Sequence, residues 1–504
     1  MTAGPDCHEA GVWQIKFINH DHTCCRTFKN RLITDNWIAH VYLDKILRDP
    51  KMKPSNILFD IYENFQINVS LKKCRRGKEK ALNEVQGLMQ RQYGLLKPYM
   101  KELMRSNVGT TCVLKVAEGE AGQPSIFLRF YVCFEALKMS FTLGCRRIFG
   151  LDGCFLKHAC GGKLLCAVGR DGNNQMWPIA WAVVEGETRN SWQWFLRILT
   201  VDLNMNDGNG WTVMSDQQKG LVPAIHEVWP AVEHRQSAKL RRISEQAYED
   251  FMARDPNTFC KSHFKCHSKC DVVDNNMAET FNSFILLARY KPIVSMLEDI
   301  RLSIMDRMQE KKKLVCKFVG GVAPRIHKKL EKAYQEQVHC RAHWNGDENE
   351  TGFEIIHRGQ SHAVDLKNMT CTCRNWDLTG IPCTHAVSAI LLMRRKPEMY
   401  LSEMYSQENY LIAYGGMLNI LQGSNYWDTE GEGMVLPPNI VRRPKGRPKT
   451  ARRRDPSEGS KHPSRSSRQG LIQKCINCHR TGHRRPSCPD AATNPPRPTH
   501  QQVL

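Results

Sequence analysis

The chain has 504 residues, with 72 Lys+Arg against 51 Asp+Glu and a formal charge of +21. That length predicts about three domains, and a hydrophobic share of 41% excludes a wholly disordered chain. The longest apolar runs, such as Trp177 to Val184, fall short of the ~20 residues of a membrane helix, and the start lacks a charged segment followed by an apolar block, so neither a membrane partner nor secretion is expected.

In the reducing compartment this implies, the 21 cysteines read as metal ligands before disulfides. Residues 1–34 hold Cys7, His20, His22, Cys24 and Cys25 around an alternating stretch from Val12 to Ile18. Residues 35–115 form a helical region, with apolar spacing from Trp37 to Leu47 and from Glu84 to Tyr99; its amphipathic faces would serve self-association. From Ile126 the pattern turns to strands: Ile126 to Phe134, Arg147 to Asp152, Lys163 to Val168 and Trp177 to Val184, with Asp171-Gly172 and Asn173-Asn174 supplying the turn between the last two. A helix over Ser191 to Leu203, a strand over Trp211 to Ser215 and helices over Lys219 to Val228, Ala238 to Ala253 and Asn276 to Arg289 follow. This is an α/β core over residues 125–290. A helical linker is expected over 291–345, with a long basic helix from Ile293 to Lys313, and a small β-then-α unit over 350–395. Residues 436–470 are rich in Pro, Arg, Ser and Gly without periodicity and read as a disordered basic linker.

Asp152 stands at the end of the first central strand and Asp216 just beyond a later one, the carboxyl end of a sheet where ligand sites form. Glu279, in the helix after Asn275, would lean across them. Three carboxylates suit two Mg²⁺ or Mn²⁺ ions, hard cations that take oxygen ligands and keep positions open for water and phosphate. The plain alternative is that each Asp is a turn or cap residue.

Asp152-Gly-Cys-Phe-Leu-Lys, Gly169-Arg-Asp-Gly-Asn-Asn, Trp192-Gln-Trp-Phe-Leu, Ser215-Asp-Gln-Gln-Lys-Gly-Leu and Asn275-Asn-Met-Ala-Glu-Thr-Phe-Asn together resemble plant Mutator-like transposases. The resemblance implies a ribonuclease-H-like core whose Asp-Asp-Glu triad cuts and joins DNA through divalent metal. Asp152 and Asp216 match the family's aspartates, and Glu279 is the best match for the third acid, with Glu185 as rival. The family carries a further segment with a Cys-x-x-His pair after the position of Arg235; here the chain passes directly to Ser237-Ala-Lys-Leu-Arg. Its absence would displace Glu279 and silence the site. His22-Thr-Cys24 resembles the closing half of the family's N-terminal finger, of WRKY type, so residues 1–34 are expected to be a remnant of that finger without a full ligand set.

Cys371-x-Cys373-x9-Cys383-x-His385 places four soft or borderline ligands in paired spacing, suited to tetrahedral Zn²⁺. With strands before it and an apolar helix after it, the unit resembles a SWIM zinc finger, which implies binding to DNA or protein. Cys475-x2-Cys478-x4-His483-x4-Cys488, within residues 471–490, resembles a CCHC zinc knuckle; so short a loop has no apolar core and would fold on Zn²⁺. Arg480, Arg484 and Arg485 would face single-stranded nucleic acid. Cys260-x2-His263-x2-Cys266-His267-x2-Cys270 also has ligand spacing, with chance the better account.

From Asn439 to Leu504 sixteen Lys/Arg face three Asp/Glu, which is +13 of the +21. Arg442, Arg443, Lys445, Gly446, Arg447 and Lys449 have the shape of an AT-hook, with Arg447 inserted in a narrow A·T minor groove; a nuclear-import signal and a plain solvated linker read the same residues differently. The expectation is a nuclear, transposase-derived protein that binds zinc and DNA, and cuts and transfers DNA strands if its shortened core is active. Its rivals are a catalytically inactive DNA-binding or transcription regulator and an RNA-binding zinc-knuckle protein.

Overall fold

The computed structural model describes residues 2–5, 13–17, 28, 30–49, 52–117, 124–158, 160–216, 218–237, 258, 260–318, 320–429, 433–438, 475, 478 and 481. They divide into a large unit, Met1–Ile440, and a second, Val441–Leu504.

At the start, β1 (Thr2–Pro5) and β2 (Trp13–Phe17) pair antiparallel. Four helices follow: α1 (Asp35–Arg48), α2 (Pro54–Phe65), α3 (Leu71–Gly94) and α4 (Leu96–Ser106). The Thr34 and Ser70 hydroxyls accept hydrogen bonds from the first-turn N–H groups of Trp37 and Lys73, fixing where α1 and α3 begin. Ile38, Tyr42 and Ile46 of α1 bury against Ile57 and Ile61 of α2 and Cys74 and Ala81 of α3, a small core of their own. Tyr93, Leu96, Tyr99 and Leu103 belong instead to the main core.

That core is built on a mixed eight-stranded sheet. In chain order come β3 (Thr111–Ala117), β4 (Ser125–Cys133), α5 (Glu135–Gly144), β5 (Ile148–Phe155), β6 (Lys163–Arg170), β7 (Met176–Val184), α6 (Arg189–Leu203), β8 (Thr212–Asp216), α7 (Leu221–Val228) and β9 (Glu233–Ser237). The strands β7-β6-β5-β8-β9 lie side by side, with β6 antiparallel to both its neighbours and β5, β8 and β9 parallel. Every residue of β7 is buried, as expected of a strand covered on both faces. β3 corrects the expectation of helix through residue 115: Thr111–Ala117 pairs antiparallel with β4 at the sheet's edge. β9, Glu-His-Arg-Gln-Ser, has no apolar alternation and was not legible as a strand; Arg235 nevertheless is fully buried in it, ion-paired to Glu233.

Beyond the sheet lie α8 (Asn276–Phe284), α9 (Ile293–Lys313) and α10 (Pro324–Glu336). The stretch expected as a linker is not one. Ile293, Ile300, Ile304 and Met308 of α9 are core residues, and β10 (Cys340–Trp344) joins a second, antiparallel sheet with β11 (Gly352–His357), β12 (Gln360–Asp365) and β13 (Thr370–Cys371). Arg358 and Gly359, both at positive φ, make the tight turn between β11 and β12. Short α11 (Asn375–Thr379) and α12 (Thr384–Leu392) complete this unit. The chain then returns to the main core: α13 (Gln407–Ala413) packs on α5, and β14 (Val435–Leu436) pairs parallel with β4, so Leu436 is sheet rather than the first residue of a linker.

Candidate active site and metal centre

β5 and β8 run parallel with Leu151 opposite Ser215, so the next residues along, Asp152 and Asp216, stand level on neighbouring strands and share a face. Asp152 is tied down at both oxygens: the Gly153 N–H donates to Oδ1 at 2.8 Å and the Asn282 amide donates to Oδ2 at 2.7 Å. Burial pushes its carboxyl up to about 6 against the pull of the Gly153 hydrogen bond, and the negative charges of Asp216, Glu187 and Glu279 push the same way. Asp216 and Glu279 therefore both lie near enough for their charge to reach Asp152.

α8 brings Glu279 and Asn282 there, three residues apart on one side of the helix. Its Met277, Ala278 and Phe281 are buried, and it packs over β5, β6 and β7. Asn275 pins its start: the side-chain amide donates to the Leu151 carbonyl at 2.8 Å, one residue before Asp152. Gly150 makes the clamp possible, because a Cβ there would fall 1.9 Å from the Asn275 Oδ1. The run Asn275-Asn-Met-Ala-Glu-Thr-Phe-Asn thus divides into clamp, buried face and site-facing residues.

The rival acid Glu185 is committed elsewhere, its carboxylate held by the Arg129 guanidinium, with Nε at 2.9 Å. Sequence reasoning missed Glu187, two residues on in the same Glu-Gly-Glu run. Lys163 Nζ lies 2.9 Å from it, and it stands against Gly153. Beyond Arg235 the chain keeps α8 packed on β5, β6 and β7. The Arg235 guanidinium donates to the Cys270, Val272 and Lys265 carbonyls and to Ser268 Oγ, and stacks 4.0 Å from the Phe264 ring, fastening the irregular segment that leads to α8 to the sheet edge. The expected helix Ala238 to Ala253 lies outside the described residues.

Donor chemistry fits hard divalent ions here: an all-oxygen set whose mutual repulsion one lysine only partly offsets. The acids are not drawn into one tight cage, since among the described residues the single group of three or more ligand atoms within 4.8 Å of one another is elsewhere. Ligands spread around two ions about 4 Å apart would stand at such wider spacing.

That tight group is Cys371, Cys373, Cys383 and His385. Cys371 ends β13, and Arg374 at positive φ turns the chain after Cys373. Cys383 caps α12, its Sγ accepting the Ala386 N–H, and His385 sits in that helix's first turn. His385 Nδ1 is 3.6 Å from Cys371 Sγ and 3.9 Å from Cys383 Sγ, close to the edges of a tetrahedron with Zn–S of ~2.3 Å and Zn–N of ~2.0 Å. Its other ring nitrogen meets His357 Nδ1 at 3.1 Å, an outer partner that fixes the ring. Hydrogen bonding from Cys371 and Cys383 pulls the Cys373 thiol down, and bonding to Cys373 holds the Cys371 thiol up to about 12. Three thiols this close cannot all ionise without a cation among them, which is the condition zinc supplies.

The Cys260–Cys270 run forms no such group. Cys266 Sγ accepts from Arg374, His267 Nε2 meets Thr212 Oγ1 at 3.0 Å, and Cys260 pairs with Ser262. Of the expected knuckle, Cys475 and Cys478 are described, while His483, Cys488, Arg480, Arg484 and Arg485 lie outside the described residues, as do the AT-hook-like residues 442–449 and Cys7, His20, His22, Cys24 and Cys25. No helix of the described residues is long and apolar enough to cross a membrane.

Two family models match the chain: a MULE transposase domain over residues 148–238 and a SWIM zinc finger over residues 362–393. The first spans β5 to β9 with Asp152, Asp216 and Glu187, and ends before Glu279; the second contains all four ligands of the Cys/His group. Both support a transposase-derived, zinc-binding protein, and such domains suggest binding to nucleic acid. No curated protein matches the chain.

Proposed function

We propose that this is a nuclear DNA-binding protein of transposase descent that cleaves and transfers DNA strands at Asp152, Asp216 and Glu279. The observation that carries the reading is the parallel register of β5 and β8, which sets the two aspartates level with α8 laid across them. The order β7-β6-β5-β8-β9 with only β6 reversed supports a ribonuclease-H-like core. Two Mg²⁺ or Mn²⁺ ions held there would supply an activated water or 3′-hydroxyl and steady the leaving oxygen of a phosphodiester. Asp152, oriented by Gly153 and Asn282, would hold them together with Asp216 and Glu279, and Glu187, held by Lys163, adds negative charge near Asp152. The SWIM finger, the Arg442 to Lys449 stretch and the Cys475 to Cys488 knuckle, with a second zinc, would hold nucleic acid, and Phe59, Tyr62 and Phe65, exposed at three-residue intervals on α2, suit self-association.

The test is nicking of supercoiled DNA by the full chain with Mn²⁺. Activity abolished by Asp152→Asn and by Asp216→Asn supports the proposal. Duplex binding without any nicking leaves the inactive DNA-binding regulator, and preference for single-stranded RNA over A·T-rich duplex across salt leaves the RNA-binding reading.

A further inference from the structure

A cavity of 370 Å³ opens between α8, α9, α10 and the turn joining β6 to β7. Asn276 and Thr280 of α8 line it, one helical turn apart and next to the side that carries Glu279 and Asn282. Arg170, at the end of β6, and Arg307 and Lys311, one turn apart on α9, supply its charge, and Arg325 of α10 closes it. Among the described residues no carboxylate lines this cavity. Among the described residues none of the three guanidiniums forms an ion pair; Arg307 and Arg325 rest on the Met176 and Asn174 carbonyls, and the buried Arg170 Nε has no acceptor. Lys311 has only the exposed Glu310, at 3.4 Å. The nearby Asp171 is fully buried and committed to the Tyr414 hydroxyl and the Asn173 and Gln175 N–H groups. A cavity so charged has a strong demand for anionic oxygen.

Arg325 also belongs to a neighbouring groove lined by Lys328, Lys329 and Lys332, with Glu331 its one carboxylate. The opposite side of α10 explains why these charges face out: Ile326 and Leu330 bury against Ile381 and Val387 of the zinc finger. One basic track therefore runs from the cavity beside α8, along α10, to the finger.

Resting on the proposed DNA-processing role, we infer that this track is the seat of a duplex DNA backbone, with Arg170, Arg307, Arg325, Lys328 and Lys332 binding successive phosphates. Spacing suits it. Asp152 pairs across the sheet with Cys166, four residues from Arg170, or ~13 Å along the strand; at 3.4 Å per phosphate on one strand that is roughly four phosphates from the cleavage site. These contacts read no bases, so the track holds DNA in register and leaves sequence choice to other parts of the chain.

The experiment is anisotropy binding of the full zinc-loaded chain to A·T-rich and G·C-rich duplexes from 50 to 300 mM salt, with Arg325→Gln, Lys328→Gln and Lys332→Gln combined, and Arg307→Gln separately. Each lost phosphate contact should lower the log–log salt slope by about 0.9, so the triple variant loses nearly 3 in slope and ~100-fold in affinity at 0.15 M salt, equally for both duplexes. Arg307→Gln should lose about 1, and Arg325→Lys should retain wild-type slope. An unchanged slope in variants with wild-type zinc content and melting temperature overturns the track, as does a loss confined to one sequence or to single-stranded RNA. The two proposals fail separately: absence of Mn²⁺-dependent nicking with the slope changes present defeats the catalytic reading alone, and nicking with unchanged slopes defeats the track alone.

Discussion

Replacing Asp152 by Asn should make the metal-free protein more stable at pH 8. The folded chain holds this carboxyl at about 6 against a usual 3.8, so above pH 6 the fold carries a charge it disfavours. A shift of that size corresponds to ~3 kcal/mol, reduced to ~2 kcal/mol by the site's partial exposure. The penalty is full above about pH 6, fades as the pH falls toward 3.8, and vanishes below it. Asparagine removes the charge and keeps the Gly153 hydrogen bond. The Asn282 Oδ1, buried without a partner, can take the new amide after a flip of its own. Urea unfolding of both proteins should show the variant ahead by ~2 kcal/mol at pH 8 and level with wild type at pH 4. Millimolar Mn²⁺ should raise the wild-type midpoint and close the gap. A variant less stable at pH 8, or an advantage that persists unchanged at pH 4, refutes the argument that crowded, desolvated acids define this site.

Gly150→Ala drives a methyl group into the Asn275 clamp; it should cost about 1–3 kcal/mol and lower Mn²⁺-dependent nicking while zinc content stays constant. Cys383→Ser should reduce bound zinc by one equivalent per chain, measured by elemental analysis, and open residues 340–392 to protease, because Cys371 and Cys383 belong to that unit's small core; undiminished zinc would contradict the assignment. His158, 5% exposed and with neither ring nitrogen bonded, is held by burial at about 4 against the usual 6.5. Protonation favours the unfolded chain in that window, so stability should fall by roughly 3 kcal/mol between pH 6.5 and 4, a loss that His158→Phe should lessen in pH-dependent urea titrations.

Elements were legible where burial imposed a pattern. Trp177 to Val184 reads as a strand because both its faces are covered, and Ile293 to Lys313 reads as a helix because one stripe meets the core. β9 was illegible since its burial rests on an ion pair, Arg235 with Glu233, rather than on apolar alternation. The return path over residues 396–436 was missed because Tyr410, Tyr414, Trp427 and Val435 are scattered anchors without period. Around the acids, Asp152, Asp216 and Glu279 stood out by motif. Glu187 and Asn282 did not, because proximity to Asp152 is made by the packing of α8 and the bend after β7, which no local spacing encodes. The four ligands of the Cys/His group carried their spacing openly, whereas the outer partner His357 came from another strand.

Because β14 rejoins β4 only after the finger is finished, the finger is a detour in the core's own thread and not a bead hung from its end. A premature stop just past Leu392 would spare all four ligands of the Cys/His group yet strip Tyr410, Tyr414, Trp427 and Val435 from the interior. At about 1.5–3 kcal/mol for each large apolar side chain, that loss rivals the 5–15 kcal/mol by which whole domains stay folded. Gene fragments ending there would encode the finger beside a crippled body, so the strand-bearing body depends on chain that is made only after its metal-holding insert.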